Sequence, residues 1–194
     1  VLYRGNHQAR VLEQALRNLH IPYTLSGGQS FFDKAEVRDI LAYLRLLAND
    51  SDDPAFIRAV TTPRRGIGQA TLQALGTFAA SRQLSLFEAC FQVSETDSVG
   101  ARQCEGLRRF GEFIQEFQAR AGIRDTGHAG PGLEGVDGVT PDSPEHELLG
   151  AIDYERYLYD TLDDRQAANR WTNVLEMMGW LKRKAQEDHL TVLE

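Results

Sequence analysis

The stretch Glu36-Val37-Arg38-Asp39-Ile40-Leu41-Ala42-Tyr43-Leu44-Arg45-Leu46-Leu47 decides the fold class. Val37, Ile40, Leu41, Leu44 and Leu47 recur three and four residues apart, which puts their side chains on one face of an α-helix. The same period runs on downstream. Asp53-Pro54 starts a helix with proline at its first position, where the missing N–H costs nothing. Thr71, Leu72, Leu75 and Phe78 mark a third helix, and Ser85 caps a short one carrying Leu86 and Phe87. Leu107, Phe110, Ile114 and Phe117 form a long amphipathic helix; Trp171, Val174, Leu175, Met178 and Leu181 form another. Residues 122–143 interrupt the pattern. They are glycine-rich, hold two prolines and have few large apolar residues, so they are expected to form a flexible loop.

Upstream the pattern is different. Leu2-Tyr3 reads as the end of a strand. Asn6 can cap a helix in which Leu12, Ala15, Leu16 and Leu19 recur at helical spacing. Ile21-Pro22-Tyr23-Thr24-Leu25 reads as a second short strand, stopped by Gly27-Gly28. Strand, helix and strand make a small incomplete βαβ piece over residues 1–28, too small to stand without a larger sheet. The expected fold is therefore mainly α, with a helical body over 29–194 preceded by this piece.

Composition bounds the function classes. The hydrophobic fraction is 42% and the charged fraction 25%, which suits a globular protein with a core. No apolar run approaches the ~20 residues of a membrane span. The chain opens on Val1-Leu2-Tyr3-Arg4 with no basic-then-apolar leader, which predicts a start inside a longer protein. Two cysteines, Cys90 and Cys104, with no CxxC, point to small core residues in a reducing cytoplasm. The net charge of −7 is unevenly spread: residues 1–85 hold ten Lys and Arg against seven Asp and Glu, and the remainder hold eleven against twenty-one. A phosphate contact is therefore expected in the first half, with the acidic second half facing solvent or another part of a larger machine.

No G-x-x-x-x-G-K-[ST] loop is present, the five histidines are scattered, and no nucleophile motif stands out. No catalytic residue and no metal site is expected, and the chain alone is expected to hydrolyse no ATP. The strongest local signal is Thr62-Pro63-Arg64-Arg65-Gly66-Ile67-Gly68-Gln69-Ala70-Thr71-Leu72. Two glycines flank one apolar residue, and a helix follows at once. Glycine lets a ligand approach the backbone closely, and the first N–H groups of a helix point outward unpaired. Such a start attracts phosphate. Arg64 and Arg65 add charge beside it, Thr71 adds a hydroxyl, and Ile67 is expected to anchor the turn inward. The competing reading is a plain helix–helix turn in which Gly66 and Gly68 only relieve sterics. A second signal is Tyr3-Arg4-Gly5-Asn6, where a strand end meets a helix start, the usual ligand edge of an open sheet. Arg4 and Asn6 could touch a phosphate there, or be a solvated charge and a cap. Phe31-Phe32 after Gly27-Gly28 could stack on bases, but reads more simply as core, as do Trp171 and Trp180.

In order and spacing these segments resemble the UvrD/Rep family of superfamily 1 DNA helicases. The residues are Val1 to Arg10, Ile21-Pro22-Tyr23, Gly27-Gly28 to Phe31-Phe32, Glu36 to Asp39, Ala42 to Arg45, and Thr62 to Gly68. The likeness is dense over residues 1–90 and returns weakly at Asp153 to Tyr159 and Asn173 to Leu175. It implies an ATP-dependent 3′→5′ DNA helicase with two RecA-like halves, 1A and 2A, and two inserted subdomains, 1B and 2B. Residues 1–28 would be part of 2A and residues 29–194 most of 2B. Arg4 and Asn6 would contact single-stranded DNA. Gly66, Ile67, Gly68 and Thr71, with Arg64 and Arg65, would contact duplex DNA. ATP and Mg²⁺ would bind elsewhere in the parent, and the partners would be DNA and the domains 1A, 1B and 2A. Two other readings stay open: a helical interaction module that regulates a motor without touching DNA, and an independent repair protein with a helix-hairpin-helix motif.

Overall fold

A computed structural model describes residues 6–23, 30–94, 97–120 and 144–188. The described residues are helical: α1 Asn6–Asn18, a single 3-10 turn Phe31–Asp33, α2 Ala35–Ala48, α3 Asp53–Thr61, α4 Gln69–Arg82, α5 Leu86–Gln92, α6 Ala101–Arg120, α7 Pro144–Ala151, α8 Tyr154–Thr161 and α9 Asp164–Asp188.

α2 is the central helix. Val37, Ile40, Ala42, Tyr43, Leu44, Leu46 and Leu47 are all buried. That is wider than the stripe its spacing predicts, because α3, α6 and α9 all pack on it. Phe31 and Phe32 are core, and Phe32 meets Trp180 of α9 edge to face at 5.3 Å. Local chemistry sets the helix ends. Asp52 Oδ1 accepts from the Ala55 N–H at 3.0 Å with Pro54 in the first turn of α3, and Ser85 and Glu88 form a reciprocal capping box at α5. α5 crosses α6 at Gly111, where an added Cβ would lie 2.5 Å from Phe91 Cζ and 2.7 Å from Cys90 Sγ.

Two carboxylates at the start of α2 are buried and paired. Asp39 Oδ1 accepts from Arg58 Nε of α3 at 2.8 Å, and its Oδ2 from the Tyr154 hydroxyl of α8 at 2.6 Å. Glu36 Oε1 accepts from Asn173 Nδ2 of α9 at 2.7 Å. Burial, then the Asp39 charge, drives the Tyr154 phenol well above its ordinary range, so it stays protonated and donates. This polar layer joins helices more than 100 residues apart, and each buried acceptor has a donor.

Of the expected βαβ piece, the described residues show the helix α1. The described residues contain no strand, and Ile21-Pro22-Tyr23 is irregular. A strand needs a neighbour for its N–H and C=O groups, and the described residues supply none. The stripe on α1 is likewise uncovered: Leu12 and Leu16 are half-buried, Ala15 is exposed, and Leu19, just past the helix, is 68% exposed. α1 is tied to the body instead through Glu13, which is buried and accepts from the hydroxyls of Tyr23 and Ser30. Leu2-Tyr3, Arg4, Thr24-Leu25, Gly27-Gly28 and the loop 122–143 lie outside the described residues.

Candidate nucleic-acid interface

The turn between α3 and α4 is built on a polar pedestal. The Tyr43 hydroxyl lies 2.9 Å from the carbonyl oxygen of Ala59 and 2.6 Å from that of Thr62. Arg65 Nη2 donates to that hydroxyl at 2.7 Å, while its Nη1 donates to the carbonyls of Ala59 at 2.9 Å and Pro63 at 3.1 Å. The guanidinium also lies over the Phe110 ring of α6, 5.2 Å from its centroid. Burial pushes the Tyr43 phenol up to about 12, with Arg65 pulling the other way. Arg65 therefore closes the end of α3 and frames the turn. Arg64 beside it is exposed and makes no side-chain hydrogen bond or ion pair with the described residues.

Beyond the pedestal the chain reverses. Gly66 has φ +75°, the left-handed region in which an L side chain is strained. Ile67 is buried, as its inward orientation requires, and its Cδ1 lies 3.4 Å from where a Cβ on Gly106 of α6 would stand. Gly68 is the N-cap of α4, with φ −102° and ψ 179°, which any residue adopts. Nothing lies within 4 Å of a Cβ placed on Gly66 or on Gly68. No side chain caps α4. The first helical hydrogen bond runs from the Leu72 N–H to the Gly68 carbonyl at 3.1 Å, so the N–H groups of Gln69, Ala70 and Thr71 face out from the helix end. Gln69 and Ala70 are exposed and Thr71 is half-buried.

The expected residues Arg64, Arg65, Gly66, Ile67, Gly68 and Thr71 thus meet in one turn, with unlike surroundings. Arg64, Gly66 and Gly68 face solvent, whereas Arg65 and Ile67 turn toward the body. Sequence reasoning passed over Tyr43 and Phe110, which hold Arg65 from helices far away in the chain. Their helical spacing reads as core, and nothing local marks a hydroxyl or a ring as the seat of a distant arginine. Arg4 and the side chain of Asn6 lie outside the described residues.

A profile of the UvrD-like helicase C-terminal domain matches residues 1–118. The chain belongs to that family. Over 191 residues it is 40% identical to the ATP-dependent DNA helicase Rep of Salmonella typhimurium, a match covering 98% of this chain and 26% of that relative. It is 46% identical over 114 residues to DNA helicase II of Escherichia coli, covering 59% of this chain and 16% of that protein. It is 42% identical over 143 residues to the ATP-dependent DNA helicase PcrA of Staphylococcus epidermidis, covering 64% of this chain and 19% of that protein. The chain thus spans about a quarter of the length of the Rep relative. The residue 1–118 match includes the Gly66 to Gly68 turn and the helices that seat it. Among the described residues of this UvrD-like chain, no helix is long and apolar enough to cross a membrane.

Proposed function

We propose that this UvrD-like chain is an accessory region of an ATP-dependent 3′→5′ DNA helicase and that it grips duplex DNA through the turn before α4. On this reading residues 29–194 are the inserted 2B-type subdomain, and residues 1–28 are part of the RecA-like 2A half. The 1A, 1B and remaining 2A domains are its partners, with Arg4 and Asn6 on the single-strand track. One observation carries the reading. Gly68 has an ordinary backbone conformation and free space where a Cβ would stand, so neither strain nor crowding requires glycine there. A Ser or Asp N-cap would stabilise α4 by only roughly a few tenths of a kcal/mol, but its side chain would occupy the exposed N–H groups. Glycine instead leaves the N–H groups of residues 69–71 open to an approaching phosphate, with Arg64 beside them. Backbone donors bind phosphates without reading bases, so the grip is independent of sequence.

We assign ATP and Mg²⁺ to the other domains of the parent. The chain has no G-x-x-x-x-G-K-[ST] loop, and no group of three or more His, Cys, Asp or Glu among the described residues could hold a metal ion. Nucleotide chemistry is assigned to the other domains, and no catalytic step to this chain.

The test is duplex-junction binding by the full-length protein across a salt series. Gly68→Ala is expected to bind several-fold more weakly for every DNA sequence, with only a modest fall in melting temperature because alanine is a poorer N-cap than glycine. Arg64→Ala is expected to lower the slope of log K against log salt by about one. Binding by both variants equal to the parent's would reduce the turn to a structural hairpin. That result would favour the second reading, a helical interaction module, for which the exposed Val11, Leu19, Ile21 and Leu175 offer an apolar surface.

A further inference from the structure

Beside the turn lies a groove of about 530 Å³ lined by Arg65, Arg102, Glu105, Arg109 and Phe113 together with Gly106, Phe110 and Ala151. We propose that this groove is a second phosphate-contact site, in which Arg102 and Arg109 of α6 carry the duplex backbone onward from the Gly68 turn. The proposal rests on the reading of that turn as a duplex grip and extends the contact to a helix that nothing in the local sequence marks.

Three observations bear on it. The first is charge. Residues 86–194 carry eleven Lys and Arg against twenty-one Asp and Glu, yet Arg102, Arg108 and Arg109 stand close together on α6 with only Glu105 among them. Of these, Arg102 and Arg109 line the groove together with Arg65. The Arg65 guanidinium is held by carbonyls and a hydroxyl rather than by a carboxylate, so its charge is not neutralised within the protein. One carboxylate against three guanidinium groups makes the groove a local positive site in an acidic half of the chain.

The second is availability. Arg102 is exposed and makes no side-chain hydrogen bond or ion pair with the described residues. Arg109 is 75% exposed and pairs with Glu105 at 2.6 Å on its own helix. An exposed pair of this kind is worth under about 1 kcal/mol and is readily exchanged for a phosphate. Arg102 and Arg109 are seven residues apart, two helical turns, so they share a face and stand about 10 Å apart along the axis.

The third is continuity. Arg65 belongs both to the turn and to the groove wall, and Ile67 of the turn rests on Gly106, which also lines the groove. The turn and the groove therefore share a wall, so a backbone held at the α4 N-terminus has the groove beside it. The duplex backbone is the occupant that suits an open, cationic trough continuous with the turn.

The experiment uses the full-length protein and a duplex bearing a single-stranded tail, with Kd measured from about 50 to 200 mM salt. Arg102→Ala with Arg109→Ala is expected to weaken binding about tenfold and to lower the salt slope by about two, with melting temperature unchanged because both side chains are exposed. Glu105→Gln removes the competing carboxylate and is expected to tighten binding, a gain that a merely structural role would not produce. If the double variant and Glu105→Gln both bind as the parent does while Gly68→Ala weakens binding, the groove proposal is overturned and the turn reading stands. If the groove variants respond and Gly68→Ala does not, the duplex contact lies in the groove and the turn reading fails. If none responds, both fail, and an acidic protein segment becomes the occupant to test.

Discussion

Gly66 and Gly68 stand two residues apart and answer to different constraints. Gly66 is in the left-handed region, where a Cβ costs about 1–2 kcal/mol whatever the space around it. Gly66→Ala is therefore expected to lower the melting temperature, measured by circular dichroism, by more than Gly68→Ala, which meets no strain and loses only the glycine N-cap. An equal loss for both would show that the fold needs glycine at Gly68 after all. Tyr43 offers a second residue-scale test. Its hydroxyl meets two carbonyls and accepts from Arg65, so Tyr43→Phe leaves Arg65 Nη2 without that partner. The expected cost is about 1–3 kcal/mol in urea unfolding, with the turn loosened and duplex binding weakened together. The two cysteines differ as well. Burial, aided by Glu112, raises the Cys90 thiol to about 12, whereas Cys104 is only half-buried. An alkylating reagent at pH 8 is expected to label Cys104 first and Cys90 only on unfolding; prompt labelling of Cys90 would contradict its placement.

At the scale of elements, α5 and α6 meet through a glycine rather than through interleaved side chains. Gly111→Ala would put a methyl into Phe91 and Cys90, and one ring and one sulfur must move to admit it. A loss of about 1–3 kcal/mol is expected in chemical denaturation. An unchanged midpoint would mean that the crossing is looser than the geometry implies. This is one place where a glycine is required by close approach, and its spacing on an amphipathic helix gives no hint of it. The helix starts were more legible. The Ser85 cap and the Pro54 start are local signals, because a side chain bonds a backbone group a few residues away.

At the scale of the whole molecule, the polar layer on α2 holds the bundle in register. Asp39 and Glu36 lie in the first turns of α2 and reach α3, α8 and α9. Both Tyr43 and Tyr154 titrate higher in the fold than the ordinary tyrosine value of 10.0. A phenol whose folded value is raised gives up its proton more easily when unfolded. Its contribution to stability is thus complete below pH 10 and is lost as the pH climbs toward 12. Melting temperature is expected to be flat from pH 7 to about 9 and to fall steeply above 10. Tyr154→Phe should flatten that fall at some cost in stability at pH 7, because Asp39 loses a donor. A fall of the same steepness in the variant would place the titration elsewhere.

The sequence by itself determined most of the helices, the Pro54 start and the Ser85 cap, the family and the residues of the turn, because each depends on neighbours within four residues or on a run of motifs in order. Apolar spacing from Val37 to Leu47 forecast a helix, and Gly66-Ile67-Gly68 forecast an inward Ile67 between solvent-facing glycines. Tertiary structure alone decided three things. It turned Arg65 inward, because Tyr43 and Phe110 converge on it from helices remote in the chain. It left Ile21 to Tyr23 without strand pairing, because pairing needs a partner that spacing cannot supply. It brought Arg102 and Arg109, from the acidic half where no phosphate contact was expected, to the side of the turn. Charge counted along a chain averages over residues that folding separates, and electrostatic attraction depends on distance in space.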